Sequence, residues 1–437
     1  MSDIFDYIVV GLGPAGLSFL KNIDHNHSIA CLESGVGICE RYCTYSSNCK
    51  CSNPISCSII HGVGGAAATS GGKLSYYPAG SKLVDFVHNE SELLTYYEDI
   101  VHGELKEIII DKHKESFDIQ EQQRQYYAKY GLEYKYYDVY TFSDIKYRNY
   151  IYKMVYKLID ENIRFFTHTT VEKIDKSGGH YNIRTNHGHI ISGKCLIIAT
   201  GNFDSTLFKF SLNSSMPFLC EVGLRLEGPS DEWGNSFKLH NDIKLKKGNC
   251  KTYCVCEHGV ILSYSCNHMK LLEGCRNNHW HSDYTNLAFL TRSDNPEVGR
   301  ELEEKYARNF SNCPIKQSYI SYISGQADSN NENCTLLHTK AGDINDLLPL
   351  SVNNELKSFI RCVVDEAFQV PPSHLVVVAP EYKKITRAPI NNDFKLADEN
   401  IYVIGSATGK FRGILQSYCS GKICAERINN RVNDVPF

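Results

Sequence analysis

The sequence has no apolar run that approaches the roughly 18 residues needed to cross a bilayer. It also lacks a charge excess: the formal net charge is −4, with acidic and basic residues mixed along the chain. No basic face or stripe stands out, which argues against nucleic acid as a main partner. The N-terminal segment has neither the basic nor the apolar region of a secretory signal peptide. We therefore expect a cytoplasmic protein without a membrane span.

The bulk composition is ordinary for a folded globular protein: of 437 residues, 42% are hydrophobic and 22% charged. A chain of this length exceeds one hydrophobic core, so we expect two domains, or one large domain with another inserted. Cysteine departs from the average, with 18 residues. Because no secretory signal precedes them, these cysteines are interpreted as reduced thiols, metal ligands or catalytic groups and not as a disulfide framework.

The N-terminal segment has the pattern of a nucleotide-binding βαβ unit. The apolar run Phe5 to Val10 predicts a buried parallel strand. Gly11-Leu12-Gly13-Pro14-Ala15-Gly16 follows it and opens a helical pattern. A second apolar run, Ser28 to Leu32, ends at Glu33. Strand, glycine turn, helix, strand and acid thus follow one another within a short segment, as a dinucleotide site requires.

Each part of this unit has a physical role. Gly11 permits the tight turn, Gly13 lets the main chain approach a pyrophosphate, and Gly16 lets the helix and strand pack closely. The helix N terminus offers N–H groups and the positive end of a dipole to phosphates. Glu33 stands where an acid accepts hydrogen bonds from ribose hydroxyls.

Two further strand ends with glycine favour FAD over NAD. Ala199-Thr200-Gly201 closes an apolar run, and Gly405 follows the run Ile401 to Ile404. A long, extended dinucleotide needs such additional contacts from the same fold, whereas one NAD site needs neither. A second full GxGxxG unit is missing, so NAD(P)H, if used, would bind transiently or be replaced by another donor, such as an electron-transfer protein.

Several blocks resemble the glutathione-reductase-type flavoproteins: DYIVVGLGPAG…CLESG, GVGGAAATSGGKL, LIIATG and NIYVIGSATGKFRGILQSYCSGKICAERI. Together with Cys220–Glu227, Thr252–Gly259 and Pro380–Lys383, they are similar to a family of FAD-dependent dehydrogenases of bacteria and archaea. The resemblance spans nearly the whole chain. It implies an α/β fold, with a Rossmann-like FAD-binding domain and an inserted mixed α+β substrate or cap domain.

The domain organisation follows from this reading and from the apolar patterns. Residues 82–165 are expected to be largely helical, and Tyr181–Thr185 with His189–Ser192 to form a hairpin. The nucleotide fold is expected to resume at Leu375–Val378. The predicted divisions are an FAD-binding domain of residues 1–85, 161–215 and 375–437, a helical insertion of residues 86–160 and a substrate or cap domain of residues 216–374.

The resemblance also implies which residues hold the cofactor. Val171 would offer its backbone to the adenine, while Gly413 and Ile414 would pass close to the isoalloxazine. Ser406 stands where many flavoproteins have Asp, and its hydroxyl still allows a hydrogen bond to a ribityl hydroxyl or phosphate. The implied cofactor residues are Gly11, Gly13, Pro14, Ala15, Gly16, Glu33, Ser34, Arg41, Gly64, Gly65, Val171, Thr200, Gly201, Gly405, Ser406, Gly413 and Ile414.

Two basic residues are candidates for catalysis. Lys73 lies in a segment that resembles the flavin-facing part of the family, although Gly72 stands where the family usually has Asp. Lys73 would stabilise negative charge on reduced flavin, or it is an ordinary surface lysine. Arg387 would anchor an acidic substrate, or it is simply a surface charge.

Cysteine and histidine gather in two segments. The spacing between the cysteines is CxxxC or CxC, and the paired CxxC that is typical of zinc or cluster sites is absent. We predict no metal, although two crowded segments keep that alternative open. The missing CxxC also disfavours a disulfide reductase. The residues concerned are Cys39, Cys43, Cys49, Cys51 and Cys57 in the first segment, and Cys250, Cys254, Cys256, His258, Cys266, His268, Cys275, His279, Trp280 and His281 in the second.

The sequence therefore predicts a flavoenzyme, an FAD-dependent dehydrogenase or reductase that acts on a small molecule by hydride transfer at flavin N5. A flavin monooxygenase (hydroxylase) is the alternative, and oxygen consumption coupled to NAD(P)H separates the two. A third possibility is a flavoprotein that modifies or binds RNA, which the acidic balance disfavours.

Overall fold

The computed structural model describes residues 4–43, 57–69, 72–159, 162–202, 218–233, 242–266, 268–276, 281–310, 313–327, 334–396 and 399–433. The strands are β1 (Ile4–Val10), β2 (Ile29–Leu32), β3 (Lys73–Ser75), β4 (Ile109–His113), β5 (Glu133–Lys135), β6 (Val139–Phe142), β7 (Ile163–Phe166), β8 (Val171–Ser177), β9 (His180–Thr185), β10 (Ile190–Ile198), β11 (Phe218–Pro229), β12 (Lys244–Lys247), β13 (Cys250–Cys256), β14 (Val260–Cys266), β15 (Met269–Cys275), β16 (Tyr284–Ser293), β17 (Ile315–Ser318), β18 (Lys340–Ala341), β19 (Val376–Thr386) and β20 (Ile401–Val403). The α-helices are α1 (Pro14–Asn22), α2 (Glu90–Glu98), α3 (Phe117–Ala128), α4 (Asp144–Ile159), α5 (Pro296–Asn309), α6 (Tyr319–Ser324), α7 (Ile344–Leu347), α8 (Leu350–Arg361) and α9 (Ile414–Asn433).

Seven strands form a mixed sheet around the N-terminal strand. β7, β2, β1 and β10 are parallel neighbours, and β20 pairs in parallel with the second half of β10. The first half of β10 pairs antiparallel with β9, and β9 with β8. The predicted hairpin between β9 and β10 is confirmed, although β10 continues to Ile198 as one strand.

The two faces of this sheet pack against different layers because neighbouring side chains in a strand point to opposite sides. Val9 and Cys31 belong to a core that includes side chains of α1, α4 and α9. Ile8 and Ala30 belong to a core with Ile174 of β8 and other residues of the antiparallel strands. Burial on both faces explains why the strand sequences are apolar without alternation.

A second sheet has eight strands in the order β18, β17, β19, β11, β16, β13, β12 and β5. Its central pairs, β11 with β19 and β11 with β16, are antiparallel. Side chains of α5, α6, α7 and α8 pack with its strands in the largest apolar core. Two smaller units complete the described fold, the hairpin of β14 with β15 and a sheet of β3, β6 and β4. The chain is thus a mixed α/β protein, as predicted.

The expectation that residues 82–165 are largely helical holds only in part. Three helices lie there, but so do β4, β5 and β6, and β5 forms the edge of the eight-stranded sheet. In β5 the buried Tyr134 lies between the exposed Glu133 and Lys135, which is the period of a half-buried strand. Tyrosine also favours strands, so the helical prediction is wrong for this part of the tyrosine-rich stretch.

The expectation that the nucleotide fold resumes at Leu375–Val378 is wrong. Val376–Val378 are part of β19, which pairs with β11 in the eight-stranded sheet. The chain returns to the first sheet only at β20. A buried apolar strand has the same composition in either sheet, and its partner is fixed by pairing between distant segments. The domain boundaries remain predictions.

In the described residues, no helix combines the length and the hydropathy needed to cross a membrane.

Candidate functional site

Two glycines of the first turn are required by the packing of the chain itself. Gly11 has φ of +95°, and a Cβ there would lie 2.6 Å from the carbonyl oxygen of Ala199. A Cβ on Gly16 would collide with the carbonyl oxygen of Gly11. These contacts hold β1, α1 and the end of β10 against one another, in agreement with the turn and packing roles predicted from the sequence.

Gly13 is different, because no described residue would obstruct a side chain there. Its φ of −76° and ψ of −172° suit any residue, and the nearest atom to a Cβ would be the Cα of Gly65 at 3.8 Å. Gly13 is the N-cap of α1, which begins at Pro14 without a side-chain cap. The bare main chain therefore faces open space at the positive end of a helix, an arrangement that fits a phosphate group.

This open space is one end of a large cleft of about 1020 Å³. The cleft extends from the first sheet to the second, and it is lined by residues of both sheets and of the glycine-rich turns between them. Most residues predicted to hold the cofactor border it, namely Gly11, Gly13, Pro14, Ala15, Glu33, Ser34, Gly65, Val171, Thr200, Gly201, Ser406, Gly413 and Ile414.

Glu33 is held rigidly at the cleft. One carboxylate oxygen accepts a hydrogen bond from the N–H of Leu12 at 2.8 Å. The other accepts from the N–H groups of Gly35 at 2.9 Å and Gly62 at 3.0 Å. The same oxygen also accepts from the Ser34 hydroxyl at 3.4 Å. Because each carboxylate oxygen has about two acceptor sites, the oxygen bonded to the Leu12 N–H retains one for a ribose hydroxyl.

Three further predicted cofactor residues, besides Gly16, lie behind the surface of the cleft. The Arg41 guanidinium is buried and donates hydrogen bonds to the carbonyl oxygens of Ser58 at 2.7 Å and Ile59 at 3.1 Å, and also to that of Gly65. Burial lowers the pKa of Arg41 to about 10. Arg41 thus fixes the glycine-rich segment that reaches the cleft. The other two residues behind the surface are Gly64 and Gly405.

Gly64 and Gly405 support the same layer through their backbones. The Gly64 N–H donates to the carbonyl oxygen of Leu12 at 2.8 Å. Gly405 has φ of +64°, and a Cβ there would lie 2.7 Å from that of Ala15. Its N–H donates to Oγ of Ser420 at 2.9 Å. Both glycines thereby position the residues that border the cleft.

The two basic candidates for catalysis have different surroundings. Lys73 lines the cleft, with only 15% of its side chain exposed. Its Nζ donates to the carbonyl oxygen of Val255 and lies 3.6 Å from Oδ1 of Asp242, so Lys73 joins β3 to the second sheet. Arg387 does not border the cleft; it is half exposed and pairs with Asp294 at 3.2 Å. Nothing in this geometry supports substrate anchoring by Arg387.

The far wall of the cleft is basic, which the sequence analysis did not foresee. Lys383, Lys244 and Lys251 place their Nζ atoms 3.7, 4.6 and 5.7 Å from the ring centroid of Tyr253. Burial lowers the pKa of Lys251 to about 8, against the opposing charge of Glu221 at 2.5 Å. These lysines come from three strands, and only the pairing of those strands brings them together. In the sequence, the alternation of Lys244 and Lys246 in β12 is a local indication of a basic face.

The residues that line the cleft carry an excess of positive charge. Part of it is offset from behind the lining by Glu221, Glu257 and Glu381, which pair with lining lysines and arginines. Among the described residues that line it, ten are basic and three are acidic. Such an excess attracts anions and raises their local concentration. The basic residues are Lys73, Arg124, Lys135, Lys244, Lys246, Lys251, Arg276, Lys383, Lys384 and Arg412, and the acidic ones are Glu33, Asp242 and Glu273.

Glu273 is the acid of this wall whose chemistry suits proton transfer. Burial raises the pKa of its carboxyl to about 7, assisted by Cys254 and Glu381 and opposed by the cations of Lys383 and Arg225. A group with a pKa near the working pH is the most effective general acid or base. No motif marks Glu273, because its pKa depends on residues of three different strands.

Glu273→Gln is expected to stabilise the folded protein at neutral and higher pH. The raised pKa means that the folded state prefers the protonated carboxyl, so this contribution is present below about pH 4.5 and is lost as the pH rises to about 7. Glutamine has the shape of the protonated carboxyl but does not ionise, so the variant does not lose this stability as the pH rises. Urea unfolding should show a gain on the order of 2 kcal/mol at about pH 8 and little difference at about pH 4.5. An equal gain at both pH values would contradict this assignment.

The cysteines and histidines predicted as candidate ligands lie in different surroundings. Within the described residues, no group of three or more His, Cys, Asp and Glu side chains is placed to hold a metal ion. His258 and His281 stack with ring centroids 5.3 Å apart, outside the lining of the cleft. Cys49, Cys51, His279 and Trp280 lie outside the described residues. Cys254 and Cys256 do line the cleft.

No known family matches the sequence, and no curated protein matches it either. Among solved structures, glycine oxidase from Geobacillus kaustophilus has 12% identity and a TM-score of 0.44 over 98% of this chain and 95% of its own. A geranylgeranyl bacteriochlorophyll reductase-like protein from Thermoplasma acidophilum has 11% identity and a TM-score of 0.42, covering 99% and 79%. A p-nitrophenol 4-monooxygenase from Pseudomonas putida has 14% and 0.39, covering 98% and 80%. Likeness at this level carries no functional argument, and the family resemblance noted in the sequence remains a prediction.

Proposed function

We propose that the protein is an FAD-dependent oxidoreductase that acts on a small anionic molecule. The observation that carries the proposal is the bare main chain of Gly13 at the N terminus of α1, which opens into the cleft. Packing accounts for Gly11 and Gly16 but not for Gly13. A residue that lacks a side chain without an internal reason is best explained by a ligand that approaches it closely.

The surrounding residues suit the successive parts of FAD. The main chain of Gly13 and Ala15 would receive the pyrophosphate, and Glu33 the ribose hydroxyls. Val171, which also lines the cleft, would lie against the adenine. Ser406 would bind the ribityl chain or a phosphate. The cleft measures about 1020 Å³, more than the roughly 300–1,000 Å³ of pockets for one drug-sized molecule, so its size suits an extended dinucleotide.

FAD would supply hydride transfer at its N5 atom, which no amino-acid side chain provides. The residues of the chain supply binding and proton control. The lysines around Tyr253 would bind the anionic group of the substrate, and the carboxylate of Glu273 would take or return a proton near neutral pH. Lys73 would hold positive charge beside the site of reduction.

The test is anaerobic purification followed by absorption spectroscopy. Oxidised-flavin bands in the purified protein, or after incubation with FAD, are expected. Bleaching by NADH or NADPH would identify a nicotinamide donor, whereas bleaching by dithionite alone would favour substrate oxidation or a protein donor. Oxygen consumption that requires NAD(P)H and an organic substrate would favour the monooxygenase alternative. Absence of flavin under every condition would refute the proposal.

A further inference from the structure

A β-bulge brings two cysteines of β13 together at the cleft. β13 pairs in register with β16 up to Tyr253 and Ala288, and the register then shifts before Cys256. Cys254, inside the bulge, has a positive φ of 50°. In a regular strand, residues two apart are about 6.6 Å apart along the strand. Here the sulfur atoms of Cys254 and Cys256 are 3.8 Å apart.

The strained backbone at Cys254 is a second sign of function. A side chain other than glycine in the left-handed region costs of order 1–3 kcal/mol and persists where the surrounding structure enforces it, most often at functional sites. Bulges likewise recur next to active sites, where they redirect side chains. Cys254 is half-buried and Cys256 is 2% exposed, and both line the cleft.

Two cations flank this pair. Lys73 reaches it from the cleft and donates to the carbonyl oxygen of Val255, between the two cysteines. Arg225 approaches from the core, with Nη1 3.3 Å from the carbonyl oxygen of Cys254. The pKa of Cys254 is held below its ordinary value by a hydrogen bond with Cys256 and by the charges of Arg225 and Lys73, while that of Cys256 is raised. Cys254 is also the more exposed of the two, so it is the thiol placed to attack a ligand in the cleft, while Cys256 lies behind it.

We propose that Cys254 and Cys256 form a redox-active dithiol that exchanges with the disulfide of a small anionic thiol compound bound in the cleft. The geometry supports the pairing, because the two sulfur atoms lie 3.8 Å apart and need only a small movement to reach the disulfide bond length of about 2 Å. The excess of basic residues in the cleft favours an anionic disulfide as the partner.

The exchange balances without any other oxidant. The Cys254 thiolate attacks one sulfur of the bound disulfide, so that this S–S bond breaks, a mixed disulfide forms and the first thiol leaves. Cys256 loses its proton and attacks Sγ of Cys254, which releases the second thiol and closes the bond between Cys254 and Cys256. Counted from the thiolate of Cys254 and the thiol of Cys256, the protein loses two electrons and one proton, and the small disulfide becomes one thiol and one thiolate.

Differential alkylation with mass spectrometry tests this step on the full-length protein as purified. The tryptic peptide of residues 252–270 contains Cys254, Cys256 and Cys266, so a Cys266→Ser background leaves only the pair. This protein is incubated with oxidised glutathione, which is anionic, or with cystamine, which is cationic. Remaining thiols are then alkylated. Oxidised glutathione is expected to yield a peptide that lacks two hydrogens and resists alkylation, about 10-fold faster than cystamine.

Variants separate the roles of the two sulfurs. In the same background, Cys256→Ser is expected to retain a glutathione adduct on Cys254, because the resolving thiol is missing. Cys254→Ser is expected to slow the reaction at Cys256 about 10-fold, because Cys256 is only 2% exposed and its burial keeps the thiolate fraction small even without Cys254. Full alkylation of both residues after disulfide treatment would overturn the proposal. An unchanged rate of disulfide exchange in Cys254→Ser would overturn it as well. The Cys266→Ser protein retains both Cys254 and Cys256. Its time course of oxidation therefore remains decisive if a substitution of either residue disturbs folding.

This inference does not rest on the proposed function, because the exchange involves only the two thiols and the disulfide. Flavin absorbance is read in the same samples. Exchange without flavin would contradict the proposed function alone, and flavin without exchange would contradict the dithiol alone.

Discussion

Gly13→Asp is expected to abolish FAD binding while the protein still folds. The backbone of Gly13 is extended, as at an N-cap, and aspartate is a favoured N-cap residue. The new carboxylate would accept the N–H groups that the pyrophosphate needs and would repel its charge. Two like charges about 4 Å apart at an effective dielectric constant of about 20 repel by about 4 kcal/mol, or about 1000-fold in affinity.

Two measurements on this variant separate cofactor binding from stability. Titration of the flavin-free protein with FAD, followed by the change in flavin fluorescence, gives the dissociation constant. Urea unfolding of the same flavin-free protein is expected to differ from wild type by less than about 1 kcal/mol. Gly13→Asn is the matched control, because it has the size and capping ability of aspartate without the charge, and it should bind FAD with intermediate affinity. Wild-type affinity in Gly13→Asp would exclude a phosphate from this position.

Arg225→Met is expected to destabilise the fold by about 3–5 kcal/mol, the cost of leaving a buried charge without its partner. Arg225 and Glu381 are both fully buried, and Nε of Arg225 lies 2.9 Å from Oε2 of Glu381. Arg225 also donates to Oδ1 of Asn286 at 2.6 Å. Lys383, 3.4 Å from Glu381, offsets only part of the loss because it contacts the other carboxylate oxygen.

A double variant distinguishes the buried charge from lost packing. Arg225→Met combined with Glu381→Leu removes both charges, and it should recover most of the free energy of unfolding measured by urea denaturation. Arg308→Met is the surface control, since Arg308 pairs with Glu304 at 3.0 Å in an exposed position, and its loss should cost less than about 1 kcal/mol. If the double variant is no more stable than Arg225→Met, the unpaired charge is not the cause.

The sequence predicted best where structure depends on neighbouring residues. β1, the glycine turn, α1 and the hairpin of β9 and β10 each follow from a contiguous pattern. It predicted less well where one composition suits two structures, as in the tyrosine-rich stretch that contains β5, and in β19, which joins the second sheet. It also missed the basic wall around Tyr253, whose lysines lie on three strands.

The turn of Gly11 and Gly16 could be predicted from the sequence, because the positive φ of Gly11 and the contact of Gly16 with the Gly11 carbonyl both arise within the turn. The position of Gly13 at a cleft, where no described residue would obstruct a side chain, became apparent only from the fold, since that cleft lies between distant segments. The same holds for Cys254 and Cys256. Their CxC spacing is visible in the sequence, but a bulge created by pairing with β16 brings the sulfur atoms to 3.8 Å. Pairing between remote strands obeys no local pattern, and it therefore becomes visible only in the fold.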